Sequence, residues 1–169
     1  PWGFGYYDEM SDSGWSEERI LADFEQHRGP AVAWVFRVYF ERQERALRGM
    51  IEGMPQLLTD LDHAGIRRWG LTNFTTKFVD LAKARFPELH LLRDVVVSSE
   101  EHLIKPDPNI YRLAIERFGI DPRRAVFTDD KERNAQEAAA VGFHGITFRS
   151  ADQLSTALVE LGIGSGVIG

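Results

Sequence analysis

The chain has 169 residues, 43% hydrophobic and 27% charged, enough for one globular domain with a small insert. A net charge of −6 argues against a general nucleic-acid binder, because phosphate backbones select basic surfaces, but it leaves room for a small phosphorylated ligand held by one local cation. With no cysteine, disulfides, thiolate catalysis and cysteine zinc sites are excluded and a cytoplasmic setting is expected; no apolar run approaches the roughly 20 residues that span a bilayer, and no signal peptide is read at the start.

The opening residues are aromatic and alternating (Trp2, Phe4, Tyr6), and Ser11-Asp12-Ser13-Gly14 carries a loop signature. Ser16, followed by Glu17 and Glu18, predicts a helix start, with Ile20, Leu21 and Phe24 at helical spacing. Gly29-Pro30 ends that helix, and a second runs through Val32, Val35, Phe36, Val38, Tyr39 and Phe40. Residues 1–49 therefore read as a small helical subdomain.

From Met50 strands and helices alternate. Helices are predicted over Pro55–His63, Thr75–Arg85, Asn109–Phe118, Lys131–Val141 and Ala151–Leu161. Strands are predicted over Ile66–Thr72, Leu91–Ser98, Ala125–Thr128 and Gly145–Phe148, and the glycine-rich stretch 162–169 is expected to fray. This order predicts an α/β fold over residues 50–169, a doubly wound parallel Rossmann-like sheet, with function at the carboxyl ends of its strands.

The residues leaving each strand carry the chemistry. Thr72-Asn73 puts a hydroxyl and an amide at a strand-to-helix turn, where free backbone N–H groups favour an anion; the plain alternative is a helix cap, the simpler role for these residues alone. Lys105 lies between fixed backbones in Lys105-Pro106-Asp107-Pro108, suited to neutralise a phosphate or merely to be solvated in a turn. Asp129-Asp130 at the end of an apolar strand repel each other unless a cation joins them, and Mg2+ suits an all-oxygen site. Asn134, one helical turn past Asp130, adds an oxygen on the same face. An N-cap role explains one aspartate but not two. The five histidines show no metal-ligand spacing.

Taken in order, these endings resemble the haloacid dehalogenase-like superfamily, in the branch of sugar-phosphate phosphatases, epoxide-hydrolase phosphatase domains and haloacid dehalogenases. The resemblance spans about Met50 to Gly162 and rests on Leu71-Thr72-Asn73, Lys105-Pro106-Asp107-Pro108 and Phe127-Thr128-Asp129-Asp130 with Asn134. The acidic pair comes last, whereas in response-regulator receivers it comes first. The resemblance implies a small helical cap over residues 1–49 and hydrolysis of a small phosphomonoester through an aspartyl-phosphate. It further implies that Thr72 and the Asn73 backbone hold phosphoryl oxygens and that Lys105 offsets charge. Asp130 would bind Mg2+ directly, with Asp129 and Asn134 completing the metal site.

The alternatives are a non-catalytic phosphate or partner binder and a metal-independent dehalogenase, the latter disfavoured by Asp129-Asp130. The sequence leaves open whether the protein pairs as a homodimer. The family's first motif, a strand ending in Asp-x-Asp, is not found; Asp8 and Asp12 are not taken as the nucleophile. The stretch is expected to be inactive alone. The absent strand is expected between those ending at Thr72 and Thr128. The first ten residues filling that gap ranks last, behind a segment outside the chain and a strand from another chain.

Overall fold

The computed structural model describes residues 3–164; Trp2 and the tail from 165 lie outside them. Phe4–Asp12 form a helix, α1, where a loop and an alternating aromatic segment were expected. Phe4, Tyr7 and Ser11 recur at helical spacing, and burial of Tyr7 and Ser11 on that face overrides the alternation of Phe4 and Tyr6. The fully buried Tyr7 stacks on Phe24 at 4.0 Å, and its hydroxyl donates to Asp23 at 2.7 Å.

Helix α2 (Glu17–Arg28) is capped by Ser16, whose hydroxyl accepts from the Arg19 N–H, and it ends at Gly29, φ 85°. Pro30 then opens α3 (Pro30–Glu41) at its first position. Phe24, Phe36 and Phe40 join Tyr7, Ile20, Leu21 and Ala33 in an aromatic core shared by α1, α2 and α3.

The remainder alternates as expected, with trimmed boundaries. Helix α4 (Met54–His63) leads to β1 (Gly70–Thr72), then α5 (Thr76–Arg85) and β2 (Val95–Val97). The strand expected over Leu91–Ser98 is cut at both ends. A 3-10 turn occupies Pro87–Leu91, and a helical turn, α6 (Ser98–Glu101), follows directly. Then come α7 (Pro108–Phe118), β3 (Val126–Asp129), α8 (Glu132–Ala140), β4 (His144–Thr147) and α9 (Ala151–Glu160).

All strand pairing is parallel, as the alternation predicts. β1 pairs with β2, Gly70 opposite Val95, and β3 pairs with β4, Val126 opposite His144. Among the described residues no ladder joins β1 to β3. The break therefore falls where the sequence implied a further strand, and α1, being helical, does not fill it. Leu71 and Phe127 still meet in one core, packed against Val96, Ile110, Tyr111, Ala114 and Ala138. A second core joins α4 and α9 beneath β3 and β4 through Leu57, Leu61, Leu154 and Leu158. Helix α8 packs so closely on β4 that a Cβ on Gly145 would stand 2.2 Å from the Ala135 carbonyl oxygen.

Candidate active site

The ends of β1 and β3, which no ladder connects, are connected by one side chain. The Lys105 ammonium donates to the Leu71 carbonyl at 2.8 Å and to Asp129 Oδ2 at 2.6 Å. Its backbone is clamped in turn by Asn73, whose Oδ1 accepts from the Lys105 N–H at 2.8 Å while its Nδ2 donates to the Lys105 carbonyl at 3.0 Å. The Asn73 side chain is thus occupied in positioning the lysine. The cap of α5 is instead Thr75, which accepts from the Phe78 N–H at 3.3 Å, so Thr72 and Asn73 remain at the strand mouth. The loop after Asn73 is tied to α6, as the Phe74 carbonyl accepts from Ser98 Oγ at 3.3 Å and the Ser99 N–H at 3.4 Å.

Asp129 sits at the centre of the array. Besides Lys105 it accepts from the Lys131 N–H and from Asn134 Nδ2, both at 2.9 Å on Oδ1. Burial pushes its carboxyl pKa up, but the bond to Lys105, that lysine's charge and the two further donors outweigh burial and hold it below the ordinary value. Asp129 therefore stays ionised. Asp130 is exposed. Asn134 is buried, 3% exposed, and its Oδ1 has no hydrogen-bond partner. An orphaned buried carbonyl is costly unless a donor or cation completes it.

A cavity of about 430 Å³ opens over this array, with Asn73, Lys105 and Asn134 on its wall. Asp8 and Asp12 also line it, together with Glu9 from the same helix and Lys131 and Arg133 from the start of α8. Not taken as the nucleophile in the sequence, where Asp12 carried a loop signature, Asp8 and Asp12 stand one turn apart on α1. The usable signal was Phe4, Tyr7 and Ser11 at helical spacing, which turns Asp8 and Asp12 to a common side. Burial pushes both carboxyls up. Asp12 is raised to about 7, with the Asp8 charge adding to burial and Lys131 opposing it. Thr128, at the mouth of β3, is exposed.

Among the described residues no cluster of three or more His, Asp or Glu is arranged to hold a metal ion. Of the residues the sequence singled out for a metal, the exposed Asp130 carboxylate and the unpartnered Asn134 Oδ1 offer oxygens. Asp129, already bonded on both oxygens, is better placed to hold a coordinated water. That donor set fits Mg2+, which takes oxygen ligands and keeps several waters.

A parallel α/β frame with a lysine–aspartate pair at the carboxyl ends of its strands defines the class, an α/β protein with a polar mouth where such sheets place their sites. More particularly, the chain belongs to the haloacid dehalogenase-like hydrolase family, whose model matches residues 5–142. It is 27% identical over 184 aligned positions to Protein CbbY of Cereibacter sphaeroides, covering 95% of this chain and 79% of that protein. It is 32% identical over 92 residues to N-acetylmuramic acid 6-phosphate phosphatase of Pseudomonas aeruginosa, covering 54% of this chain and 40% of the other. The crystal structure of a dehalogenase shares the fold, with a TM-score of 0.56 over 75% of this chain and 55% of that one at 18% identity. The chain spans 10% to 53% of the length of four curated relatives and 79% of a fifth. Among the described residues, no helix is long and apolar enough to cross a membrane.

Proposed function

We propose that this chain forms the phosphate-handling part of a magnesium-dependent hydrolase acting on a small phosphomonoester. One observation carries the reading: Asn73, Lys105 and Asp129, far apart in sequence, form one hydrogen-bonded unit, and Asn73 and Lys105 stand on the wall of one cavity. Thr72 and the backbone at Asn73 bind phosphoryl oxygens. The Lys105 ammonium, held between a strand carbonyl and Asp129, offsets the charge of phosphate and nucleophile. Asp130 and Asn134 Oδ1 would hold Mg2+, with Asp129 beside them, and the ion would supply charge neutralisation to the phosphoryl group.

The chemistry is attack of a carboxylate on phosphorus, forming an O–P bond as the bond to the substrate alcohol breaks and that alcohol leaves with a proton. Water then attacks the acyl-phosphate, releasing inorganic phosphate and the free carboxylate. The nucleophile belongs on a strand between β1 and β3, and Asp8 and Asp12 serve as wall groups on α1. Residues 1–49 serve as the cap, residues 50–169 as the core, and the absence of cysteine suits a cytoplasmic setting.

The acidic pair favours phosphate over a haloacid, which needs no metal. The test is hydrolysis of p-nitrophenyl phosphate by the full-length protein and by its Asp130→Ala variant, beside chloride release from 2-chloropropionate. Phosphate hydrolysis that Asp130→Ala reduces at least a thousandfold is expected, with no chloride release, since a metal-held charge contributes on the order of several kcal/mol. Chloride release with no phosphate hydrolysis would reverse the reading.

A further inference from the structure

The cavity is bipolar. On the core side stand Lys105, Lys131 and Arg133, and on the α1 side Asp8, Glu9 and Asp12. The two sides feel each other, since Lys131 and Lys105 both act on the Asp12 carboxyl. Asn134, on the same cavity wall, is 3% exposed and its Oδ1 has no partner, an acceptor left open to a cation or a donor in that space. A dianionic phosphate satisfies the cations on the core side but does nothing for the carboxylates opposite. Carboxylates drawn partly out of water are satisfied only by donors or a positive charge, and they repel a second anion.

Resting on the phosphatase reading, we infer that the site selects phosphomonoesters whose alcohol carries an ammonium group, and that Asp8 and Asp12 on α1 are the specificity residues that receive it. The ligand is then dipolar like the cavity, phosphate toward Lys105 and ammonium toward α1. The two carboxylates lie four residues apart on one helix, so one small amine can reach both. A cavity of about 430 Å³ suits a compact amino alcohol phosphate and leaves little room for a long chain.

The experiment uses three near-isosteric probes, 2-aminoethyl phosphate, ethyl phosphate and carboxymethyl phosphate. Each is titrated calorimetrically into the protein with magnesium chloride at about pH 8, above the value of about 7 to which Asp12 is raised. The amine is expected to bind about tenfold more tightly than ethyl phosphate, and the carboxylate more weakly than either. In Asp8→Asn/Asp12→Asn the amine preference should fall to within about twofold of ethyl phosphate, and in the unsubstituted protein added salt should shrink it. The unsubstituted protein gives the decisive comparison, so a poorly folding variant does not remove the test. Equal binding of amine and ethyl phosphate, or preference for the carboxylate, overturns the inference and leaves the phosphatase reading intact. No binding of any probe or of inorganic phosphate removes both.

Discussion

Lys105 has no way to leave its place without stranding a charge. Its side chain and that of Asp129 are only 10% and 7% exposed, and the aspartate is held ionised by its donors. Removing one partner of such a pair leaves an uncompensated buried charge, so Lys105→Met should lose about 3 kcal/mol of stability near neutral pH. The sign with pH follows from the lowered carboxyl. Its pairing stabilises the fold above the ordinary carboxylate range and fades as pH falls through the lowered folded value. Urea unfolding at about pH 7 and about pH 3 should therefore show the penalty shrinking in acid; an equal penalty at both would deny Asp129 its charge.

Asp12 runs the other way. Its carboxyl is raised to about 7, chiefly by burial, so its own contribution to stability is fully present below the ordinary value of 3.8 and is lost as pH climbs through 7. Asp12→Asn should raise the Tm at about pH 8 and leave it unchanged at about pH 4. Two prolines and a doubled acid drew attention to Lys105 and Asp129 in the sequence, where Lys105 read equally well as a solvated turn lysine; the ion pair that joins them was not legible. Nor was the side chain of Asn73, since its bonds run to a backbone 32 residues away that no local pattern reveals.

At the scale of elements, local chemistry predicted most of what formed. Ser16 caps α2, the pair Gly29-Pro30 divides α2 from α3, and Gly119 closes α7 in the left-handed region, φ 60°. Strand ends were less legible because a run such as Leu91 to Ser98 is apolar enough for a strand, yet Pro87 starts a 3-10 turn and Ser98 a helical one. Helix α1 was missed for a related reason. Its aromatic residues satisfy a period of two and a helical period at once, and only the partners Phe24 and Phe36 decide between them.

Close packing between elements gives a sharp contrast in glycines. Gly145→Ala must push α8 off β4 and should cost about 2 kcal/mol or more, whereas Gly5→Ala in α1 meets nothing within 4 Å and should gain a few tenths to about 0.5 kcal/mol. Chemical denaturation of both variants checks the pair; a neutral Gly145→Ala would show that α8 and β4 are looser than described.

For the molecule as a whole, the split sheet matters most. β1 and β3 each lack a partner on one side among the described residues, and the stitch between them is polar, one lysine to a carbonyl and a carboxylate. Helix α5, beside β1, has no fully buried residue, while α7 buries Ile110, Tyr111 and Ala114. Local stability follows buried contact, so amides of α5 and β1 should exchange with solvent well before those of α7. Hydrogen exchange read by mass spectrometry would show this, and uniform protection would mean that the split does not weaken that side.

The parallel α/β class was readable because alternation of strands and helices is a global pattern. The bipolar cavity was not, since it exists only when α1 is brought over α8. The claim on which the rest depends is that Asp129, Asp130 and Asn134 serve a magnesium-assisted phosphate reaction. It is tested most directly by the initial rate of p-nitrophenyl phosphate hydrolysis by the full-length protein, with magnesium, with excess EDTA, and after magnesium is restored. Hydrolysis that collapses on chelation and returns with the metal is the expected result; hydrolysis undiminished by EDTA would contradict it.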